Sequence, residues 1–206
     1  MDRQDVYVAL RTQINQFESE FISKKVDKEP FEPSRVKFKR CYDCIIALYI
    51  PSDVKTNENR SVYGDRNFAK FRGEKAWCIC ILNTNNGGLF ERYQHIFYSF
   101  NANYFVPILY VANAFVVPDG FDRNVHTICG RGIHYFNHWI AAYFYDCFCY
   151  RPKSVEFSED GQVRAFYEYN YRIGQPSAHE IEERLTSIIQ EAEKKYSAIE
   201  NQDKSL

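Results

Sequence analysis

The order of apolar and polar positions near the N-terminus predicts a helix followed by a linker. Four apolar residues recur there at helical spacing with polar residues between them, which places them on one face of an amphipathic helix. They are Leu10, Ile14, Phe17 and Phe21. The next segment, KKVDKEPFEPSR, has two prolines and many charges, as is typical of a linker.

The middle of the chain has the alternation and the short apolar runs of β-strands. Residues 36–50 fit one long strand or two short ones, and residues 75–82 are apolar on both faces, as in a central buried strand. Residues 104–111 and 114–117 are two further predicted strands. Residues 89–100 fit the period of a helix, so we assign a helix there.

Residues 129–139, CGRGIHYFNHW, predict a glycine turn, a short strand and the start of a helix. Gly130 and Gly132 flank Arg131, and the apolar IHYF segment follows them. Asn137 is a good N-cap residue, because its side chain accepts a hydrogen bond from a free amide of the first turn. The predicted helix therefore runs from about residue 138 to 149.

The last third of the chain predicts a hairpin and a closing helix. Residues 154–174 form the hairpin, with Asp160 and Gly161 as its turn. Ser177 and Glu180 form a capping box at the start of the helix. The apolar face of that helix consists of Ile181, Leu185, Ile188, Ala192 and Ile199.

Together these elements predict an α+β fold. A mixed or antiparallel sheet over residues 36–173 packs one helix and is flanked by N- and C-terminal amphipathic helices. A chain of 206 residues suits one domain with helical extensions. We therefore divide it into an N-terminal helix and linker (1–29), a single α+β domain (30–174), and a C-terminal helix and tail (175–206).

The charge balance excludes strong nonspecific attraction to nucleic acid or acidic membranes. Lys and Arg number 26 and Asp and Glu number 27, so the net charge is close to zero. The aromatic content is high, with 17 Phe and 16 Tyr. Most of these rings are expected in the core, while some tyrosines can serve a binding surface.

Residues 93–118 contain no Asp, Glu, Lys or Arg, which raises the question of a membrane span. Asn101, Asn103 and Asn113 lie within that run, and amides are costly in hydrocarbon. We therefore predict buried strands and no membrane span. No secretory signal is visible at the start of the sequence, so we expect reduced cysteines and an intracellular protein.

The cysteines do not form a clear metal motif. Cys41 and Cys44 form a C-x-x-C pair that runs into a strand, where the two side chains are expected on opposite faces. Cys78 and Cys80 form a C-x-C pair whose thiols are expected on one face, like small core residues. We predict no metal site and no cofactor, although zinc and NAD are not excluded.

The candidate site residues lie around the glycine turn. His134 in the strand and His138 at the start of the helix can converge on one cleft at the strand end, where α/β sites tend to form. Arg72 and Arg131 would add positive charge to that cleft, so these four residues are the candidate ligand-binding set. His134 and His138 are the candidate catalytic residues. The alternative for each histidine is a core or helix-start residue that bonds to the backbone.

Four segments resemble a domain of unknown function found in large DNA viruses. They are RCYDCIIALYIPSDVK, KFRGEKAWCICI, VVPDGFD and CGRGIHYFNHWIAAYFY, which together cover about residues 40–146. The matched positions are Ile50, Pro51, Lys70, Arg72, Ala76, Pro118, Phe121, Asp122, Cys129, Gly132, Ile133, His134, Tyr135, Phe136, Ala142 and Tyr145. An asparagine-rich insertion near 83–88 departs from the pattern. The resemblance implies a viral intracellular protein and brings no activity with it.

A second resemblance is to ADP-ribosyltransferases of the poly-ADP-ribose polymerase type. GRGIHYF followed by AAYFY is similar to their G-K-G-I-Y-F-A segment and the helix after it. The upstream H-G-[ST] element of that family is absent, and His134 stands where the family has tyrosine. This resemblance implies a fold-level relation and an NAD-binding cleft around His134.

Two classes of function follow from these observations. We expect a noncatalytic module in the host cytoplasm or the virion, which binds a protein partner through its terminal helices or an aromatic surface. A homo-oligomer fits this class, and nucleic acid is not expected as a partner. The alternative is a nucleotide- or NAD-binding enzyme of the ADP-ribosyltransferase type that uses the cleft around His134.

Overall fold

The computed structural model describes residues 2–24, 30–99, 104–145, 154–157 and 163–166, and six helical positions between 183 and 194. Its helices are α1 (Arg3–Lys24), a 3-10 turn (Pro33–Arg35) and α2 (Trp139–Tyr145). Its strands are β1 (Val36–Cys41), β2 (Cys44–Tyr49), β3 (Lys70–Gly73), β4 (Ala76–Asn83), β5 (Arg92–Ser99), β6 (Tyr104–Val111), β7 (Ala114–Val116), β8 (Ile133–Phe136), β9 (Ser154–Phe157) and β10 (Val163–Phe166).

Six strands form one antiparallel sheet in the order β3-β8-β1-β2-β4-β7. The pairs β5–β6 and β9–β10 form two smaller antiparallel sheets. Every residue of β2 is buried, as expected for a central strand with apolar residues on both faces. The predicted α+β class is therefore confirmed.

The predicted N-terminal helix is present, and its apolar face packs on the main sheet. Val6, Leu10, Phe17 and Phe21 of α1 are buried against residues such as Tyr49 and form one core with them. The other face of the sheet has its own core, in which the strand residues pack with the loops that cross it. Because α1 buries its apolar stripe inside this chain, the stripe does not support the expected role of this helix in partner binding.

The segment 36–50 is two strands joined by a tight turn. Cys41 pairs with Cys44, and Tyr42 in the turn between them has a φ of 50°. Both cysteines belong to the same core, so the expectation that they point to opposite faces is wrong. The two-residue turn reverses the chain between them. Residues along one strand alternate between the two faces, but cross-strand partners such as Cys41 and Cys44 lie on the same face.

The C-x-C pair of β4 is also arranged differently from the prediction. The register with β2 shifts between Ala47 and Leu48, which pair with Cys80 and Cys78. This β-bulge reverses the alternation, so that Cys78 lies in one core and Cys80 in the other. The prediction of a shared face is therefore wrong, because an unbroken strand was assumed.

Residues 92–99 form strand β5, so the predicted helix over 89–100 is wrong. Each residue from Arg92 to Ser99 pairs with a residue of β6. Tyr93, Ile96 and Phe97 fitted the helical period only because the segment is apolar at nearly every second or third position, which satisfies both periods. The neighbouring strand β6 decides the outcome, since it supplies backbone partners along the full length of β5.

The C-terminal third is described in part. β9 and β10 confirm the hairpin, whereas its Asp160–Gly161 turn and the capping box at Ser177 and Glu180 lie outside the described residues. The six described positions between 183 and 194 are helical, and Ile189 among them is fully buried with Phe136 and Ile140. Within the described part of the chain, no helix is long and apolar enough to cross a membrane.

Candidate functional site

Arg72 of β3 is fully buried, and its guanidinium is engaged by the backbone of one loop. Nε donates to Thr127 O at 2.9 Å, and the two Nη groups donate to the carbonyls of the same loop at 2.8–3.0 Å. Those carbonyls belong to Asp122, Asn124 and Arg131. Because these bonds occupy most of its five N–H donors, Arg72 organises the loop before β8 from within.

Asn57 completes this arrangement from the opposite side. It is fully buried, and its Oδ1 accepts the backbone N–H of Arg72 at 2.7 Å. Its Nδ2 donates to Val125 O and Thr127 O at 3.3 and 3.4 Å. Buried polar groups are costly when they lack partners, so this exchange of hydrogen bonds fixes two loops to β3 together. No pattern in the sequence pointed to Asn57, because an isolated asparagine in a polar loop is usually solvated.

The two glycines around Arg131 permit this close packing. Gly132 has a φ of +133°, and a Cβ there would lie 3.1 Å from Gly73 O. A Cβ on Gly130 would lie 2.5 Å from a carboxylate oxygen of Asp122. The predicted glycine turn is therefore required by positive φ and by backbone contact. Neither glycine leaves space for a phosphate or another ligand at these positions.

His134 lies opposite Arg72 on the neighbouring strand. Burial lowers the pKa of His134 well below its ordinary value, and the charges of Lys70, Lys39 and Arg72 lower it further. The imidazole is therefore neutral at physiological pH. A neutral, buried histidine surrounded by cations is a poor proton acceptor for catalysis near pH 7.

His138 begins α2 as its N-cap residue. Its ring Nδ1 accepts the N–H of Ile140 at 3.3 Å, and its carbonyl accepts the N–H of Ala141 at 3.2 Å. The prediction of Asn137 as N-cap is wrong by one residue, because Asn137 Oδ1 accepts a hydrogen bond from Lys37 Nζ at 2.8 Å instead. The His138 ring is exposed and lies 6.1 Å from that of Phe68.

The structure brings only part of the predicted set together. Arg72 and His134 are cross-strand neighbours, and Arg131 joins them through its backbone carbonyl. The Arg131 side chain is exposed and runs beside Gly120, whose Cβ would lie 3.3 Å from Arg131 Cδ. His138 serves the start of α2. The contacts of Arg72, His134 and His138 are thus ones that stabilise this segment.

A polar network on the other face of the sheet was missed by the sequence analysis. The hydroxyl of Tyr135 donates to Glu58 Oε1 at 2.7 Å, and Lys37 Nζ lies 3.2 Å from the same oxygen. Burial raises the pKa of Tyr135 well above its ordinary value, and Glu58 raises it further. The hydroxyl is therefore protonated at physiological pH and donates to Glu58. Lys37 lies on β1 and is itself buried, with Glu58 and Asn137 Oδ1 as its partners.

The described cysteines favour packing over chemistry. Burial raises the pKa of Cys44 and of Cys80 to about 12, and it raises that of Cys78 as well. A thiol with such a pKa is a weak metal ligand, because metals bind the thiolate. Among the residues that the structure describes, no group of three or more His, Cys, Asp or Glu side chains is placed to hold a metal ion.

Exposed apolar side chains concentrate on one border of the sheet. Nine large apolar residues of the described chain are exposed. Six of them lie on β6, on β7 or directly after it, or in the segment that bonds back to the end of β4. We call these six the apolar edge: Leu89, Phe90, Leu109, Val111, Phe115 and Val117. Leu109 is 53% exposed and Val117 is 67% exposed, so these side chains present their area to solvent. Contiguous exposed apolar residues mark interaction surfaces more often than isolated ones do.

The apolar edge lies where the main sheet ends. β7 is its outermost strand, paired with β4 on one side only among the described residues. The ring of Phe115 packs edge-on against Trp77 at 4.8 Å, and Lys75 Nζ lies 4.7 Å from its centroid. Proteins usually protect such an edge with charges. Residues 93–118 carry none, and the charge that reaches Phe115 comes from Lys75 on the neighbouring segment.

Comparison with protein-family models, with curated proteins and with solved structures finds no match to this chain.

Proposed function

We propose that this protein is a noncatalytic interaction module that binds a protein partner along the apolar edge. The observation that carries the proposal is the exposure of Phe115 on the outermost strand of the sheet and of Val117 directly after that strand. An extended segment of a partner can add to such an edge through backbone hydrogen bonds, and side-chain contacts then select the sequence. In the setting that the viral resemblance implies, the partner belongs to the host cytoplasm or the virion.

The chemistry of the edge defines the partner segment. Residues 93–118 carry no charge and Lys75 is the cation that lies on Phe115, so the segment gains nothing from basic side chains. Leu109 and Val111 lie on the outer face of β6, and the alternate residues Ile108 and Tyr110 are buried. An apolar, β-branched or aromatic strand matches that surface, since the energy comes from removing apolar area from water.

The alternative, a nucleotide- or NAD-binding enzyme around His134, has less support. Arg72 would have to give up hydrogen bonds to four carbonyls in order to bind a phosphate. His134 would have to act from a buried position with a strongly lowered pKa. The hydrogen bonds of Arg72 and the burial of His134 oppose both requirements. The interaction module uses side chains that are already exposed.

The test is selection of binding peptides followed by measurement on variants. A displayed library of extended peptides is selected on the full chain, and synthetic copies are titrated by fluorescence anisotropy. We expect apolar peptides whose affinity falls at least about tenfold in Val117→Lys, a change of about 1.4 kcal/mol in binding free energy. A lysine there places a charge directly beside the end of the edge strand.

Val8→Lys is the matched control, because Val8 is 54% exposed but lies on α1. It should bind the selected peptides as the wild type does. Peptides that bind both variants equally, or a selection that yields no peptide, would overturn the proposal. Sedimentation equilibrium of the wild type alone shows whether a second copy occupies the edge, since self-association lost in Val117→Lys would identify the partner as the chain itself.

A further inference from the structure

The asparagine-rich turn between β4 and the apolar edge contains an Asn86–Gly87 pair, in which the Gly87 nitrogen can react with the Asn86 side chain. Asn86 is exposed and stands at the tip of the turn. The turn is closed by two backbone bonds, from Asn83 N to Gly88 O at 2.8 Å and from Gly87 N to Asn83 O at 2.9 Å. Asn86 is the asparagine of this turn that is followed by a glycine.

Asn86 Oδ1 accepts the N–H of Gly88 at 2.9 Å. This bond folds the side chain back over the Gly87 peptide, whose nitrogen is the atom that can attack the amide carbon. The same bond withdraws electrons from the amide carbonyl and is in place for the oxygen that becomes negative when the carbon is attacked. Gly87 has no Cβ and a φ of 75°, so no side chain shields its nitrogen. Its N–H donates to Asn83 O at 2.9 Å, so this turn bond has to open before the nitrogen attacks.

We propose that Asn86 is a site of spontaneous modification, in which the Gly87 nitrogen displaces the Asn86 side-chain amide. A base removes the Gly87 N–H proton, and the nitrogen forms a bond to Asn86 Cγ. The Cγ–Nδ2 bond breaks, and Nδ2 leaves with a proton as ammonia. The resulting five-membered succinimide is opened by water. Cleavage at Cγ gives aspartate, and cleavage at the backbone carbonyl gives isoaspartate.

The other asparagines of the turn provide internal controls. Asn83 is followed by Thr84 and Asn85 by Asn86, so each has a Cβ on the residue that supplies the attacking nitrogen. Asn83 Oδ1 accepts the N–H of Asn85 at 2.8 Å, so Asn83 makes the same kind of side-chain bond as Asn86. The combination of that bond with a following glycine distinguishes Asn86 from Asn83 and Asn85.

The modification changes the strand that leads into the apolar edge. It adds one negative charge, and isoaspartate also lengthens the backbone by one methylene. Leu89 bridges to Leu82, and the N–H of Phe90 donates to Ile81 O at 2.9 Å, only a few residues further on. A longer turn shifts this register, so the Phe90 amide should exchange with solvent faster in the isoaspartate form.

The experiment incubates the folded chain at neutral and mildly alkaline pH and follows the tryptic peptide 76–92 by mass spectrometry. That peptide contains Asn83, Asn85 and Asn86, and fragmentation assigns the modified residue. We expect conversion at Asn86 at least about tenfold faster than at Asn83 or Asn85, a difference of about 1.4 kcal/mol in activation free energy. The rate should rise with pH, because the nitrogen must lose its proton.

Two variants separate the chemistry from the turn. Asn86→Gln requires a six-membered ring and should abolish the conversion. Gly88→Ala keeps the Asn86–Gly87 pair but places a Cβ 3.1 Å from Asn86 Oδ1, so it should slow the reaction by displacing that oxygen. Equal rates at the three asparagines, or an unmodified Asn86 while other asparagines convert, would overturn the proposal. A Gly88→Ala rate equal to that of the wild type would overturn the role of the Gly88 bond.

Discussion

The loop before β8 and the apolar edge use opposite kinds of residues in opposite ways. In the loop region, polar side chains such as Arg72 and Asn57 are buried, and their hydrogen bonds go to the protein itself. On the apolar edge, Phe115 and Val117 are exposed to solvent. Arg72, which was predicted to bind a ligand, thus stabilises the fold. Phe115 and Val117, which were predicted to be buried, lie on the surface.

The loop before β8 and the apolar edge should also respond differently to substitution. Substitutions in the loop region should change stability, because they leave buried groups without partners. Substitutions on the apolar edge should change binding and leave stability nearly unchanged, because their side chains already contact water. The following predictions run from the largest expected effect on stability to the smallest.

Arg72→Met should lower the free energy of unfolding by about 3–5 kcal/mol, because it removes the buried donor that holds four carbonyls of the loop. Urea unfolding followed by circular dichroism measures this difference. Arg92→Met is the control, since Arg92 is exposed, and it should stay within about 0.5 kcal/mol of the wild type. A loss of less than about 1 kcal/mol in Arg72→Met would contradict its structural role.

Tyr135→Phe should lower the free energy of unfolding by about 1–2 kcal/mol. The substitution keeps the ring but removes the hydroxyl that donates to Glu58 Oε1 at 2.7 Å. Glu58 keeps its ion pair with Lys37 and is partly exposed to solvent. The loss of stability should therefore be smaller than that of Arg72→Met. Urea unfolding of Tyr135→Phe beside Tyr63→Phe, whose ring is 56% exposed, is the comparison. Equal stabilities of the two variants would count against the network.

The stability of the protein should fall at acid pH because His134 and His95 have lowered pKa values. The unfolded chain takes up protons near pH 6.5, whereas these buried imidazoles do not. Stability is therefore complete above that pH. It falls below it by up to about 1.4 kcal/mol per pH unit for each histidine, until the folded pKa is reached.

Urea unfolding at a series of pH values from neutral to acid measures this slope. His134→Gln removes one of the two groups, so its stability should depend less steeply on pH below 6.5 than that of the wild type. An identical slope in both proteins would show that His134 titrates alike in the folded and the unfolded chain, which would contradict its burial as a neutral group.

Val117→Lys should change the free energy of unfolding by no more than about 0.5 kcal/mol. Val117 is 67% exposed, so the new ammonium stays in water. Differential scanning calorimetry of Val117→Lys and Val8→Lys should give nearly equal melting temperatures. A large loss in Val117→Lys alone would mean that the edge is part of the core and would remove the basis for its role in binding.

The sequence predicted the elements whose pattern depends on their own residues. The amphipathic stripe of α1, the doubly apolar β2 and β4, and the hairpin of β9 and β10 are all present. The α+β class follows from them. These predictions succeeded because burial on one or both faces leaves a period in the sequence itself.

The errors lie where a distant part of the chain decides. β5 is a strand because β6 pairs with it, although its apolar residues also fit a helix. A bulge opposite Ala47 separates Cys78 from Cys80, and a two-residue turn brings Cys41 and Cys44 together. No local period encodes these pairings, since they depend on register across the sheet.

The candidate site shows the same limit. His134 and Arg72 are cross-strand neighbours, which could not be predicted from their separation in the sequence. Their partners, however, are backbone carbonyls, and carbonyls have no signature in a sequence. Asn57 and Glu58 were missed for the same reason, because a polar loop looks the same whether it is solvated or folded onto a sheet.

The most direct test of this account is a thermal-shift titration with NAD, ADP-ribose and common nucleotides, run on the wild type and on His134→Gln. A ligand that binds the folded chain at about 100 times its dissociation constant adds about 2.7 kcal/mol, which raises Tm by several degrees. The account predicts no shift with any of these ligands in either protein. A shift in the wild type that disappears in a folded His134→Gln would contradict it and make the segment around His134 a ligand site.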